Sequence, residues 1–172
     1  MLLTFKNLNR FLVLSFAAII LAACTTTPQD TASTSSSSSS ASKVEVVDGV
    51  YVGTDTVEML AVDVPDRVFF AYDSYSLTSA AQATLAKQAK WLKANGSVTI
   101  AIEGHADERG TREYNLALGE RRANAARDYL MTYGISGKRI SVISYGKEKP
   151  VNPASSPIAW SQNRRSVTVK VN

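Results

Sequence analysis

The chain has 172 residues, with 19 Lys and Arg against 15 Asp and Glu, a formal net charge of +4 at pH 7, one histidine and one cysteine. So mild an excess of positive charge, without a basic stripe, excludes a nucleic-acid partner, whose phosphates demand clustered Lys and Arg. A lone cysteine forms no intramolecular disulfide, and a catalytic zinc needs three protein ligands, for which one histidine and one cysteine are a poor start.

The first ten residues carry only positive charge, from Lys6 and Arg10, and the next eleven, FLVLSFAAIIL, carry none. This run falls short of the roughly 18 apolar residues of a spanning helix and ends in small residues, the pattern of a signal-peptide core over 1–23. Residues 21–24, LAAC, resemble the lipobox of bacterial lipoproteins, in which the cysteine is acylated and becomes the first mature residue; this would cap Cys24 with lipid. Several acyl chains make a durable anchor, since each buried methylene adds about 0.8 kcal/mol. Thr25 follows where lipoproteins retained in the inner membrane usually carry Asp, so the resemblance implies the outer membrane, with the domain in the periplasm. Loss of Lys6 and Arg10 leaves 17 basic against 15 acidic residues, a mature charge of only +2.

Residues 25–42, TTTPQDTASTSSSSSSAS, lack apolar periodicity and do not repay their ordering entropy, so 24–64 is expected to be a lipidated cysteine followed by a tether. A flexible coil of ~40 residues averages about 35 Å end to end and reaches on the order of 130 Å when straight. Within it, KVEVVDGVYVGTDTVEMLAVDV (43–64) alternates Val and Tyr, and either forms a short strand or lies on the following domain.

Residues 65–172 suffice for one small domain. RVFFAYD (67–73) reads as a strand, and LTSAAQATLAKQAKWLKANG (77–96) as a helix capped by Thr78 or Ser79 and stopped at Asn95-Gly96. VTIAIEG (98–104) reads as a second strand and EYNLALGERRANAARDYLMTYG as a second helix, with Thr111 as a candidate N-cap. RISVISYG (139–146) is a third strand, the region up to Asn163 a loop or short helix, and RSVTVKV (165–171) the last strand. The order βαβαβ with a final β predicts an α/β fold, an α+β sandwich with helices packed on one face of a mixed four-stranded sheet.

On a helical wheel the apolar stripe of the second helix runs through Leu116, Gly119, Ala123, Ala126 and Leu130. Arg121 falls about 180° from its centre, facing water, and Arg122 about 80° away, at an edge from which a guanidinium leans over the sheet end. Asp107 sits in the turn before this helix, so an acid and an arginine face each other across a shallow groove. As an exposed capping ion pair they would contribute only ~0–1 kcal/mol. As a binding site they would read both charges of an amino-acid zwitterion, with the arginine gripping the carboxylate in bidentate fashion.

EGHADERGTREYNLALGERRANAARDYL, then YGI, RISVISYGKEKP and SQNRRSVTV, closely resemble the peptidoglycan-binding domain of the outer-membrane-protein-A-like family, over about 65–172. The lipobox and Ser-rich tether match the layout of its lipid-anchored members. The resemblance implies that Asp107 meets the ammonium of diaminopimelate and Arg122 its carboxylate. It also implies a pocket lining of Tyr72, Asp73 and Leu118, with Asn115, Asn163 and Arg165 as supports, and no cofactor. It further implies binding to peptidoglycan and exchange with a periplasmic β-propeller partner, TolB of the Tol system, during constriction at division; the alternative is a wall-binding lipoprotein outside that system. Where the family usually has Pro just inside the helix start, this chain has Arg112, which leaves the helix end freer to fray.

Other readings fit less well. His105 and Asp107 are too few for a catalytic metal, no G-x-S-x-G elbow supports a serine nucleophile, and the turn ERG has too few glycines to cradle phosphate. His105 reads as an ordinary strand-end residue and the chain as a binding module. The related domains of flagellar stators and outer-membrane barrels come with spanning segments that this sequence does not show.

Overall fold

The computed structural model describes residues 45–172; the expected signal peptide, Cys24 and the Ser/Thr-rich stretch lie outside the described residues. Residues 46–65 form two short antiparallel hairpins, β1 (Val46–Val47) with β2 (Val50–Tyr51) and β3 (Met59–Ala61) with β4 (Val64–Pro65). The segment that the sequence left open between a strand and a piece lying on the domain is therefore both. Tyr51 is buried edge-on against Phe69, with ring centroids 4.7 Å apart, and Leu60 is buried too. Among the described residues, strands therefore lie on both sides of residue 65, which falls inside β4.

Then follow β5 (Arg67–Phe69), α1 (Ser79–Ala94), β6 (Ile100–His105), α2 (Arg112–Thr132), a 3-10 turn (Gly137–Arg139), β7 (Ile140–Gly146), α3 (Pro157–Asn163) and β8 (Arg165–Lys170). The cap residues account for the helix starts. Thr78 Oγ1 accepts from the Ala81 amide and Thr111 Oγ1 from the Tyr114 amide, each at 3.2 Å, satisfying donors that the first turn leaves over. Helix α2 ends with Gly134 at φ 83°, where the Gly134 amide donates to Met131 O and the Ile135 amide to Leu130 O. This paired closure needs a left-handed residue, and glycine adopts it without strain.

The sheet order is β5-β8-β6-β7, with β6 and β7 parallel and the other neighbours antiparallel, so the expected mixed four-stranded sheet is present. One of its faces carries Val68, Phe70, Ile100 and Ile102 against Leu85, Ala89 and Leu92 of α1 and Ala123, Ala126 and Leu130 of α2. A Cβ at Gly104 would stand 1.8 Å from the Gly119 carbonyl oxygen, and one at Gly119 would stand 2.5 Å from Ser144 Oγ. Two facing glycines therefore let α2 lie almost backbone to backbone on β6, which brings Arg122 to the end of that strand.

The buried face of α2 is Asn115, Leu118, Gly119, Arg122, Ala123, Ala126 and Leu130. This corrects the expected phase: Leu116 is 40% exposed, and Arg122, expected at the edge, lies fully buried near the middle. Counting only apolar residues shifts the apparent centre, because two polar residues belong to the inward face.

Candidate functional site

The turn after β6 is tied from several sides. Asp107 Oδ1 accepts from the amide and Nε of Arg109, both at 3.1 Å, and its Oδ2 accepts from Arg109 at 2.5 Å and from Arg164 at 3.2 Å. The Asn115 side chain donates to Arg109 O at 2.8 Å, and Lys147 Nζ donates to Glu108 O and Gly110 O. The next side chain, Glu108, accepts from Trp160 Nε1 at 2.8 Å and Ser155 Oγ at 3.0 Å, which draws its carboxyl below the usual range. Asp107 is buried, which by itself raises a carboxyl pKa; the hydrogen bonds from Arg109 and Arg164 outweigh this and hold it below its ordinary value.

Arg122 enters the same space from α2. Its Nε donates to Ser74 O at 2.8 Å, and its two terminal nitrogens donate to His105 O at 2.9 Å and Ala71 O at 3.2 Å. These carbonyls fix the loop after β5 and the end of β6 around the guanidinium. No carboxylate lies within ion-pair distance of it among the described residues. Burial, then the Arg164 charge, lower its pKa to about 10, so it stays a cation at neutral pH.

Asp107 and Arg122 line one pocket of about 240 Å³ together with Tyr72, Asp73, Asn115 and Leu118. Six of the eight residues expected for ligand contact are thus brought together. Asp73 adopts φ 50° and accepts a short hydrogen bond from Tyr114 Oη at the rim. Asn163 and Arg165 stand elsewhere. The Asn163 side chain accepts from the Val151 and Asn152 amides and donates to Asn152 O, so it organises the loop after β7. Arg165 lines a separate cleft.

Sequence reasoning missed Ala106, Arg109, Gly110, Tyr114 and Arg164, which complete the lining. Arg109 lies between the rings of Tyr72 and Trp160, 4.3 Å from each centroid, a double cation–π contact above Asp107. Arg164 is buried and also donates to Phe70 O and Gly49 O. The available signal was the pair Arg164-Arg165 at the start of a strand: neighbours there point to opposite sides, so only one of the two could face Asp107.

Residues 69–164 match the OmpA family, and the chain belongs to that family. It is similar to the peptidoglycan-associated lipoprotein of Rhizobium meliloti (strain 1021), 61% identical over 108 residues that cover 63% of this chain and 61% of the relative. The corresponding lipoprotein of Mesorhizobium japonicum is 57% identical over 107 residues, covering 62% and 64%. The match thus spans less than two thirds of the length of these relatives. Among solved structures, the peptidoglycan-associated lipoprotein from Burkholderia pseudomallei superposes with a TM-score of 0.60 at 44% identity over 61% of this chain and 89% of that one. The C-terminal domain of Helicobacter pylori MotB, at 22% identity and a TM-score of 0.58 over 62% and 84%, shares the fold. The α+β architecture expected from the sequence is therefore that of the family.

Proposed function

We propose that this chain is an outer-membrane lipoprotein that binds peptidoglycan non-covalently through the diaminopimelate of stem peptides and so ties the membrane to the cell wall. The observation that carries the reading is the pairing of Asp107 and Arg122, opposite charges lining one small pocket. The free end of meso-diaminopimelate is a zwitterion, and each charge finds its complement here. Three of the five N–H groups of Arg122 are taken by carbonyls, and the other two are the donors for a ligand carboxylate. The four bonds to Asp107 fill its acceptor sites, so an incoming ammonium displaces a present partner. Arg109 yields more readily than Arg164, because its side chain is 34% exposed against 6%. Family membership and the names of the relatives support the wall as the partner.

The LAAC motif supports acylation of Cys24, with the domain held in the periplasm by a Ser/Thr-rich tether. Mass spectrometry of the mature N-terminus checks this: diacylated or triacylated Cys24 is expected, and an unmodified cysteine on membrane-bound protein would contradict it. Participation in the Tol system, with TolB as partner and a part in outer-membrane constriction, rests on similarity to lipoproteins of this family. Co-purification of the wild-type protein with TolB, lost when wall fragments are added in excess, is the expected sign of exchange. Sedimentation with purified wall tests the binding itself: pelleting is expected with diaminopimelate-type wall and not with lysine-type wall.

A further inference from the structure

The sheet face turned away from α1 and α2 holds a second cleft, of about 470 Å³, in which Arg67, Glu103, His105, Lys149 and Arg165 meet under Glu58 and Leu60 of the second hairpin. The antiparallel register sets Arg67 opposite Val167 on β8 and Val167 opposite Glu103 on β6. Arg165 and His105 follow one step along the same face. His105 is 1% exposed and Arg165 is 6% exposed. Neither ring nitrogen of His105 nor Nε of Arg165 has a hydrogen-bond partner among the described residues. The Lys149 backbone is the weakest of the influences on the ring and leaves both its nitrogens unsatisfied. The terminal nitrogens of Arg165 reach only carbonyls, Lys149 O at 3.2 Å and Asn163 O at 3.5 Å.

The charges in the cleft do not all cancel. Arg67 is neutralised by a bidentate contact to Asp66 and by Glu58 at 3.4 Å. Arg165 and Lys149 have no carboxylate at ion-pair distance among the described residues; Lys149 Nζ instead lies 3.6 Å over the Tyr145 ring, which stacks on His105. Of the acids lining the cleft, Asp66 and Glu58 are engaged by Arg67, and Glu103 lies with Oε2 3.5 Å from His105 Nε2. A buried guanidinium with an idle N–H is costly unless something accepts from it, and the same holds for a buried imidazole N–H. Arg165, Lys149 and His105 approach one volume from β8, the loop after β7 and β6. Donors converging from three directions suit a tetrahedral oxyanion better than a planar carboxylate.

We propose that this cleft is a second ligand site, independent of the pocket at Asp107, which binds a phosphate group through Arg165, Lys149 and His105. The phosphate is either free or the headgroup of a phospholipid. Two or three partly solvated charge-assisted contacts give affinity in the millimolar range. Glu103 opposes the anion, so its charge works against binding.

The single histidine of the chain gives one imidazole NMR signal to follow. The test titrates the full-length protein in neutral detergent with inorganic phosphate at constant ionic strength. A saturable shift of the His105 signal that chloride does not reproduce is expected. The exposed Lys149→Gln should weaken phosphate binding about tenfold, and Glu103→Gln should tighten it, whereas a purely structural cluster would give no such opposite pair. Repetition with phosphatidylglycerol vesicles separates the sources: a vesicle that abolishes the response to free phosphate identifies a headgroup as the ligand, and an unaltered response identifies the free anion. Absence of a saturable His105 shift, or shifts that both variants leave unchanged, would overturn the proposal.

Discussion

The two adjacent arginines of α2 have the same chemistry and opposite surroundings. Arg121 is exposed, with its guanidinium 6.0 Å from the Tyr75 ring, while Arg122 has three carbonyl partners and no exposure. Arg121→Ala should therefore change stability by less than about 0.5 kcal/mol and leave wall binding intact. Arg122→Ala should abolish binding and also cost about 3 kcal/mol, because it leaves buried carbonyls unsatisfied; urea unfolding beside sedimentation separates the two effects. Asp107→Asn keeps the size of the side chain but leaves the buried Arg164 without its counter-charge. Loss of binding is thus expected together with about 1–3 kcal/mol of stability. Acid should act in the same direction. His105 is held neutral first by burial and then by Arg165, Lys149 and Arg67, which lower its pKa from 6.5 to about 3. Between those two values the unfolded chain binds the proton and the folded chain does not, so stability is complete above pH 6.5 and falls on acidification toward pH 3. Asp107, also lowered, adds a loss as pH drops through its own range below 3.8. The urea midpoint should accordingly be lower at pH 4 than at pH 7, with His105→Gln flattening that slope; an unchanged midpoint in the parent protein would contradict the burial of a neutral imidazole.

At the level of elements, the site depends on how closely α2 lies on β6. Gly104→Ala and Gly119→Ala each drive a methyl into backbone or into Ser144 Oγ, with Gly104 the more severe because its obstacle is the helix backbone itself. Each should cost about 1–3 kcal/mol, and thermal unfolding should rank Gly104→Ala as the worse. Both should weaken wall binding by shifting Arg122 away from the turn that carries Asp107. Most elements were legible in the sequence, since Thr78 and Thr111 announce helix starts, Gly134 announces a stop, and β-branched alternation marks β6 and β8. The placement of Asp107, Tyr72, Asp73, Leu118, Asn115 and Arg122 followed from the family resemblance and a turn-to-helix argument. The inward polar residues were not legible by hydrophobic pattern, because Asn115 and Arg122 count as surface on any apolar scale while their hydrogen bonds pull them inside. Likewise, no periodicity distinguishes Arg164 from Arg165: what separates them is the cross-strand register, which sends one to Asp107 and the other to the far face.

For the whole molecule, the proposed function requires a weak pocket to make a firm link. Two charge-assisted contacts, at roughly 1.5–3 kcal/mol each, with stacking on Tyr72 and Leu118, support single-site affinity no tighter than micromolar. On the proposed function, many copies in one membrane facing a polymer of repeated stem peptides would gain avidity from high local concentration, so that the layer holds while each link exchanges. Partial exposure of Tyr72 and Arg109 at the rim also implies that binding weakens as salt rises. Calorimetry with two short stem peptides, identical except that one ends in meso-diaminopimelate and the other in lysine, measures whether the pocket reads a zwitterion. Micromolar or weaker, salt-sensitive binding of the diaminopimelate peptide is expected, and none measurable for the lysine peptide, which lacks the second carboxylate that Arg122 would hold. Equal binding of both peptides, or nanomolar binding insensitive to salt, would contradict recognition of a zwitterion by Asp107 and Arg122.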